Sequence, residues 1–114
     1  MDQIKEITEA LTGFRNERNW QQFHNPKDLA LALSIEAAEL NELFLWKKGE
    51  SEWKDIPPGK IKEELADVFA YAFLLAEKYN LDVKDIVLEK IVKNGEKYPV
   101  EKSFNNATKY NRLK

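Results

Sequence analysis

Hydrophobic residues recur along most of this chain at intervals of three and four positions, the spacing that places side chains on one face of an α-helix. The first helix is predicted over residues 2–18, and its hydrophobic positions are Ile4, Ile7, Leu11 and Phe14. The same spacing predicts three further helices, over residues 26–47, 60–79 and 83–94. No segment of useful length alternates between hydrophobic and polar residues as a β-strand does. The predicted fold class is therefore all-α.

Capping residues, prolines and glycines mark where these helices begin and end. Asn25 can cap the second helix, and Pro26 suits the first helical position because its missing N–H is not needed there. Residues 47–60 contain two glycines and two prolines, which predicts a loop between the second and third helices. Asp82 is placed to cap the fourth helix, and Gly95 is expected to end it.

The predicted organisation is one domain over residues 1–99, followed by a polar C-terminal tail over residues 100–114. A chain of 114 residues can form one hydrophobic core, although a core of this size is marginal. Because a loop of about a dozen residues joins the second and third long helices, we expect them to be antiparallel neighbours. The sequence thus predicts a four-helix bundle that oligomerisation completes.

Composition excludes several classes of protein. With 43% hydrophobic and 33% charged residues, the chain is typical of a globular protein in water. It has no run of about 18 apolar residues that could span a membrane. The N-terminus lacks the apolar segment of a secretory signal, which favours a cytoplasmic location. The net charge is -2 and the basic residues are scattered among acids, so binding to polymeric nucleic acid is not expected.

Four acids lie within the two most apolar helical segments, where charges are not expected. They are Glu36, Glu39, Glu64 and Asp67. A buried carboxylate must be protonated, paired with a cation or bound to a metal ion. The chain has no cysteine and one histidine, so a metal would be held mainly by oxygen, which favours Mg²⁺, Mn²⁺ or Ca²⁺. The alternative is that the acids are solvated at the helix edges and paired with lysines.

Two further groups of residues could bind an organic anion. An aromatic group could stack on a nucleotide base, although such residues more often belong to a core; it consists of Trp20, Phe23, His24, Trp46 and Tyr71. A second group, at the end of the fourth helix, could bind phosphate oxygens or could simply reflect the preference of cations for helix C-termini; it consists of Lys90, Asn94, Lys97 and Tyr98.

Read together, these segments resemble the all-α nucleoside triphosphate pyrophosphohydrolases of the MazG-like superfamily, close to the branch that contains dCTP pyrophosphatase. The family motif E-x-x-E, a spacer and E-x-x-D stands here at residues 36–39 and 64–67. The longer phrases that carry the resemblance are NWQQFHNPKDLALAL, EAAELNELFLW, EELADVFAY and KNGEKYP. The E-x-x-E motif alone is common, but the ordered set of phrases is specific.

The resemblance implies hydrolysis of a nucleoside triphosphate, expected to be a dNTP, to its monophosphate and pyrophosphate. It implies Mg²⁺ as the cofactor, with Mn²⁺ as a substitute, and metal ligation and catalysis by the four acids. Phosphate binding falls to Lys90, Asn94, Lys97 and Tyr98, and base binding to Trp20, Trp46 and Tyr71 with Phe23 and His24 beside them. Where the dCTP-hydrolysing relatives have a histidine in the first helix, this chain has Leu11, which puts a preference for cytosine in doubt.

The resemblance also implies a homo-oligomer, a dimer of dimers or a dimer, and a role in house-cleaning or in control of the dNTP pool. Two other functions would account for parts of this sequence pattern. A non-enzymatic assembly module that binds nucleotide or metal would explain the amphipathic helices but not acids on their buried faces. A di-iron carboxylate bundle needs two Glu-x-x-His motifs, and this chain has none.

Overall fold

The computed structural model describes residues 2–114, and every regular element in that range is helical. The helices are α1 (Gln3–Glu17), α2 (Pro26–Glu42), α3 (Glu50–Lys54), α4 (Pro58–Lys78), α5 (Val83–Lys97) and α6 (Val100–Ser103). Two 3₁₀ turns, Trp20–Phe23 and Tyr110–Arg112, complete the list. The all-α prediction is confirmed, since these 113 consecutive positions contain no β-strand.

Side-chain caps fix the starts of the long helices α1, α2 and α5. The Asp2 carboxylate accepts a hydrogen bond from the Lys5 backbone N–H at 2.8 Å. The Asn25 side chain accepts from the Asp28 N–H at 2.9 Å, and Pro26 follows as predicted. Because each cap satisfies a backbone donor that has no partner within its helix, these residues set where the helices begin.

The predicted end of α2 at residue 47 is wrong, because the helix stops at Glu42. Beyond it, the Leu45 N–H donates to the Glu42 carbonyl at 3.1 Å, an i to i−3 bond that tightens the chain into a turn. Trp46 then adopts a left-handed conformation with φ of 65°. The hydrophobic residues in this turn continue the spacing of the helix, so the sequence pattern predicts a longer helix than the structure contains.

Two other details differ from the sequence prediction. Residues 47–60 do not form a plain loop, because they contain the short helix α3. Helix α5 does not end before Gly95 but continues to Lys97. No glycine in residues 2–114 has a positive φ, so Gly95 does not form a left-handed helix cap.

The chain divides into two compact units, residues 2–80 and residues 81–114. In the first unit, α2 packs along α4, and α1 contacts both α4 and the first 3₁₀ turn. Its hydrophobic core is small, and its buried members are Leu29, Ile56, Leu74 and Ala76. In the second unit no side chain is fully buried. Within residues 2–114, no helix combines the length and the hydrophobicity that crossing a membrane requires.

The C-terminal tail is ordered by its own hydrogen bonds. After α6, Asn105 takes a left-handed conformation with φ of 59°, which reverses the chain. The Asn106 side chain then accepts a hydrogen bond from the Thr108 N–H at 3.0 Å. The reversal returns Tyr110 to the end of α5, where its ring lies edge-on to that of Tyr98 with 6.0 Å between ring centroids.

Candidate functional site

Packing of α2 along α4 brings acids from the two helices together. Glu36 on α2 and Glu64 and Asp67 on α4 each present a carboxylate oxygen, and these three oxygens lie within 4.8 Å of one another. Glu36 and Glu64 are half-buried, whereas Asp67 is exposed. Since Glu64 and Asp67 are three residues apart, α4 directs both to the same side. The structure therefore brings together three of the four acids singled out in the sequence.

The fourth acid, Glu39, lies beside this group, because it contributes to the raised pKa values of both Glu36 and Glu64. Burial, the approach of the Glu39 carboxylate and the charges of Asp67 and Glu64 raise the pKa of Glu36 to about 7. Burial and then the charge of Glu39 also raise the pKa of Glu64. Both shifts show that the carboxylates repel one another and lack water to solvate them. Without a cation, the Glu36 carboxyl is therefore about half protonated at pH 7.

The cluster fits a bound metal ion better than it fits solvated charges. One oxygen of Glu36 and one of Glu64 are shielded from solvent and accept no hydrogen bond from any described residue. The ion pairs found in residues 2–114 involve none of the four acids. Converging carboxylate oxygens with unfilled acceptor positions are what a hard divalent cation requires. The lysine-paired alternative finds no support in these contacts.

An aromatic pair borders the acids. The rings of His24 and Tyr71 meet edge-on, with centroids 6.5 Å apart. Burial and the nearby charges of Glu36, Asp67 and Glu39 raise the pKa of the Tyr71 phenol, so the ring lies close to the carboxylates. The Nδ1 atom of His24 is buried and has no hydrogen-bond partner among the described residues. Tyr71, with His24 against its ring, provides an aromatic surface beside the candidate metal site.

Sequence reasoning missed Arg15, which is the one buried charged residue in the described chain. Its guanidinium forms an ion pair with Glu77 of α4 at 3.1 Å and so ties α1 to α4. Burial and then the positive charges of Arg15 and Lys78 lower the pKa of His24, which favours its neutral imidazole. Arg15 follows Leu11 by four positions and so lies on the apolar stripe of α1. A charged residue on an apolar helix face is the same signal that indicated the four acids.

The other aromatic residues do not join this pair through ring contacts within residues 2–114. Trp20 packs edge-on against Phe14 of α1, with 5.8 Å between ring centroids. Phe23 is 61% exposed and Trp46 is 83% exposed. Their exposed faces are available to another molecule, and their assignment to base binding stays a prediction.

The four residues assigned to phosphate binding lie in the second unit, on or just after the last two turns of α5, and all are exposed. The Tyr98 N–H donates to the Asn94 carbonyl at 2.8 Å, which orders the helix end. Lys90 and Lys97 lie two helical turns apart, since seven residues span about two turns. This spacing presents two ammonium groups on one face of α5.

Comparison with known proteins places these features in a family context. The sequence profile described as the MazG-like family matches residues 31–113. Proteins named dCTP pyrophosphatase 1 from Rattus norvegicus and Mus musculus are each 38% identical over 96% of this chain and 67% of their own length. The human protein of that name is 36% identical over the same shares. The crystal structure of a pyrophosphatase from Archaeoglobus fulgidus matches with a TM-score of 0.82 and 35% identity, over 87% of this chain and 94% of that chain.

Proposed function

Since the chain belongs to the MazG-like family and is an enzyme of the nucleotide pyrophosphatase class, we propose that it hydrolyses a (deoxy)nucleoside triphosphate to the monophosphate and pyrophosphate with the help of Mg²⁺. The observation that carries this proposal is the convergence of carboxylate oxygens from Glu36, Glu64 and Asp67 within 4.8 Å. Relatives named dCTP pyrophosphatase give the substrate class its strongest support.

The metal would be held by Glu36, Glu64 and Asp67, with Glu39 at the edge of the same cluster. A bound Mg²⁺ neutralises negative charge on phosphate oxygens and lowers the pKa of water. A bound cation would favour the charged forms of Glu36 and Glu64, because its positive charge would offset the repulsion that raises their pKa values. Glu39, which is exposed, is then available as the base that receives a proton during hydrolysis.

Phosphate and base recognition fall to separate residues. The exposed ammonium groups of Lys90 and Lys97, with Asn94 and Tyr98, bind the phosphate oxygens that leave as pyrophosphate. Tyr71 lies near the acids with His24 against its ring, and this pair contacts one face or edge of the base. The neutral imidazole of His24 can exchange hydrogen bonds with a base without an unpaired charge.

The base preference of this enzyme depends on Leu11, which stands where the dCTP-hydrolysing relatives have a histidine. Leu11 is half-buried and lies in an apolar groove between α1 and α4. A hydrocarbon side chain cannot hydrogen-bond to the edge of a base, so cytosine is not selected at this position. A broader range of dNTPs, or a modified base, is consistent with a house-cleaning or pool-control role in the cytoplasm.

The enzyme acts as a homo-oligomer, as a dimer of dimers or a dimer. The groove between α1 and α4 has a volume of about 380 Å³, and its lining is formed by Ile7, Leu11, Ala66, Phe69, Ala70 and Phe73. In the second unit, the α5 residues Val87, Ile91 and Val92 are 51–65% exposed. Apolar surfaces of this kind mark interfaces. A second copy of the chain is the occupant, because each copy carries the same surfaces and the net charge of -2 opposes association only weakly.

The decisive experiment measures pyrophosphate release from a panel of dNTPs with and without Mg²⁺. Glu39→Gln and Asp67→Asn should abolish turnover and leave the helical circular dichroism spectrum unchanged, because each removes a charge from the cluster without changing side-chain size. Glu42→Gln, an exposed position later in α2, is the matched control and should retain activity.

Release of orthophosphate alone, or full activity of the Glu39→Gln and Asp67→Asn variants, would contradict the proposal. A non-enzymatic assembly module that binds nucleotide or metal would show no turnover, even where Mg²⁺ plus a non-hydrolysable dNTP stabilises it. The enzyme should gain about 2.7 kcal/mol of stability when that ligand is present at 100 times its Kd.

A further inference from the structure

The C-terminal tail makes two contacts with residues at the end of α5. The Lys97 ammonium nitrogen lies 4.8 Å from the centroid of the Tyr110 ring, which is a cation–π contact. The same ring lies edge-on to Tyr98, at an interplanar angle of 81°. One tail side chain therefore contacts two neighbouring residues that precede it by 12 and 13 positions.

The path of the chain holds Tyr110 in place. The Asn106 N–H donates to the Ser103 carbonyl at 2.9 Å, which closes the reversal after α6. The 3₁₀ turn at Tyr110–Arg112 is fixed by a 2.8 Å bond from the Arg112 N–H to the Lys109 carbonyl. Leu113, just beyond it, is half-buried. The ring is thus presented by an ordered segment.

The contact orders Lys97 without neutralising it. Lys97 is exposed and takes part in none of the ion pairs found in residues 2–114. A free lysine side chain has many rotamers, and binding an anion restricts them at an entropic cost. An aromatic ring restricts them in advance and leaves the ammonium charge available to a phosphate oxygen. A carboxylate partner would order the side chain but would compete with that oxygen.

We propose that Tyr110 is a positioning residue for phosphate binding: its ring holds the Lys97 ammonium group and the Tyr98 side chain in the orientation that receives the substrate's phosphates. The inference rests on the proposed function, in which Lys97 and Tyr98 bind phosphate. It makes the tail part of the binding site, although its own sequence is polar and carries no motif.

The test uses the full chain and two readouts, the kinetics of triphosphate hydrolysis and calorimetric binding of inorganic tripolyphosphate with Mg²⁺. Tyr110→Leu should raise the KM and the tripolyphosphate Kd roughly two- to fivefold, the range expected for an exposed cation–π contact, and should leave kcat unchanged. Tyr110→Phe keeps the ring and should restore both values. Phe104→Leu is the matched control, because Phe104 is a 78% exposed aromatic residue in the same tail.

A double-mutant cycle with Lys97→Met shows whether Tyr110 acts through Lys97. In the Lys97→Met background, Tyr110→Leu should lose most of its effect on tripolyphosphate binding. An equal effect of Tyr110→Leu in the wild-type and Lys97→Met backgrounds would overturn the inference. It would also be overturned if Tyr110→Phe weakened tripolyphosphate binding, or if the wild type did not bind tripolyphosphate. If the wild type releases no pyrophosphate from any dNTP, the proposed function fails, and the tripolyphosphate cycle still decides the role of Tyr110.

Discussion

At the residue scale, Glu36 is where burial and charge oppose each other most strongly. Its pKa rises from 4.5 to about 7 on folding, with burial as the largest cause. Between these two values the folded protein binds more protons than the unfolded chain, so stability must fall as pH rises. The stability that protonation of Glu36 contributes is fully present below pH 4.5 and is lost as the pH rises past about 7. A bound cation would offset the charge repulsion that contributes to this rise in the pKa of Glu36.

We therefore expect the metal-free protein to be less stable at pH 8 than at pH 5.5, as measured by urea unfolding at each pH. Addition of Mg²⁺ should reduce this difference by stabilising the protein mainly at the higher pH. Glu36→Gln should flatten the dependence in the metal-free protein, because glutamine does not titrate. A pH dependence of stability that is the same in Glu36→Gln as in the wild type would contradict the electrostatic account of the cluster.

The single histidine allows a direct test of the buried Arg15 charge. Burial lowers the pKa of His24 first, and the charges of Arg15 and Lys78 lower it further. Arg15→Met keeps a long side chain and removes the charge, so it should raise the pKa of His24 in an NMR titration of the imidazole protons. Arg18→Met is the control, since Arg18 lies over the Phe14 ring and is not among the charges that shift His24. An unchanged His24 titration in Arg15→Met would rule out the coupling.

These residues also show what the sequence could predict about the site. The acids were found because their charge conflicts with the apolar faces of α2 and α4, and Arg15 carries the same signal on α1. The contact between His24 and Tyr71 depends on how the first 3₁₀ turn meets α4. The contact between Lys97 and Tyr110 depends on a reversal in a polar tail. Neither periodicity nor spacing encodes such long-range contacts.

At the element scale, the continuation of α5 through Gly95 has a consequence for stability. Glycine within a helix costs conformational entropy that alanine does not. A Cβ atom at Gly95 would meet no other atom within 4 Å, so no clash offsets the gain. Gly95→Ala should raise the free energy of unfolding by about 0.5–1 kcal/mol, measured by thermal or urea unfolding.

Gly49→Ala provides the comparison for Gly95→Ala. A Cβ atom at Gly49 also has open space, but this residue caps α3 in an extended conformation and is not inside a helix. Alanine is a poor N-cap, so this change should not stabilise the protein. Destabilisation by Gly95→Ala would show that the glycine is needed for close contact with another molecule.

Helix existence was predictable, and helix ends were less so. The long helices follow from hydrophobic spacing, and the caps at Asn25 and Asp82 fix two of their starts. The end of α2 was placed five residues too late, because the apolar residues after Glu42 continue the pattern through a turn. The end of α5 was placed too early, because a glycine after asparagine is a frequent helix stop but not an obligatory one.

At the scale of the whole molecule, the amount of exposed apolar surface is the feature that the monomer does not explain. The first unit has four buried hydrophobic residues, and the second unit has none. A chain of this length stabilises itself by burying much more of its apolar surface. Both the groove between α1 and α4 and the apolar face of α5 would contribute to such burial in an oligomer.

If a second copy covers the groove, as proposed, a charge placed in the groove should separate the subunits. Ile7 is 44% exposed and lines the groove, so Ile7→Glu would bury a carboxylate at the interface and should shift the protein towards monomer in analytical ultracentrifugation. Ala10→Glu, three residues later on the same helix and exposed outside the groove lining, adds the same charge and should leave the oligomer intact. A monomeric wild type, or an Ile7→Glu variant that sediments like it, would show that a second copy does not cover this groove.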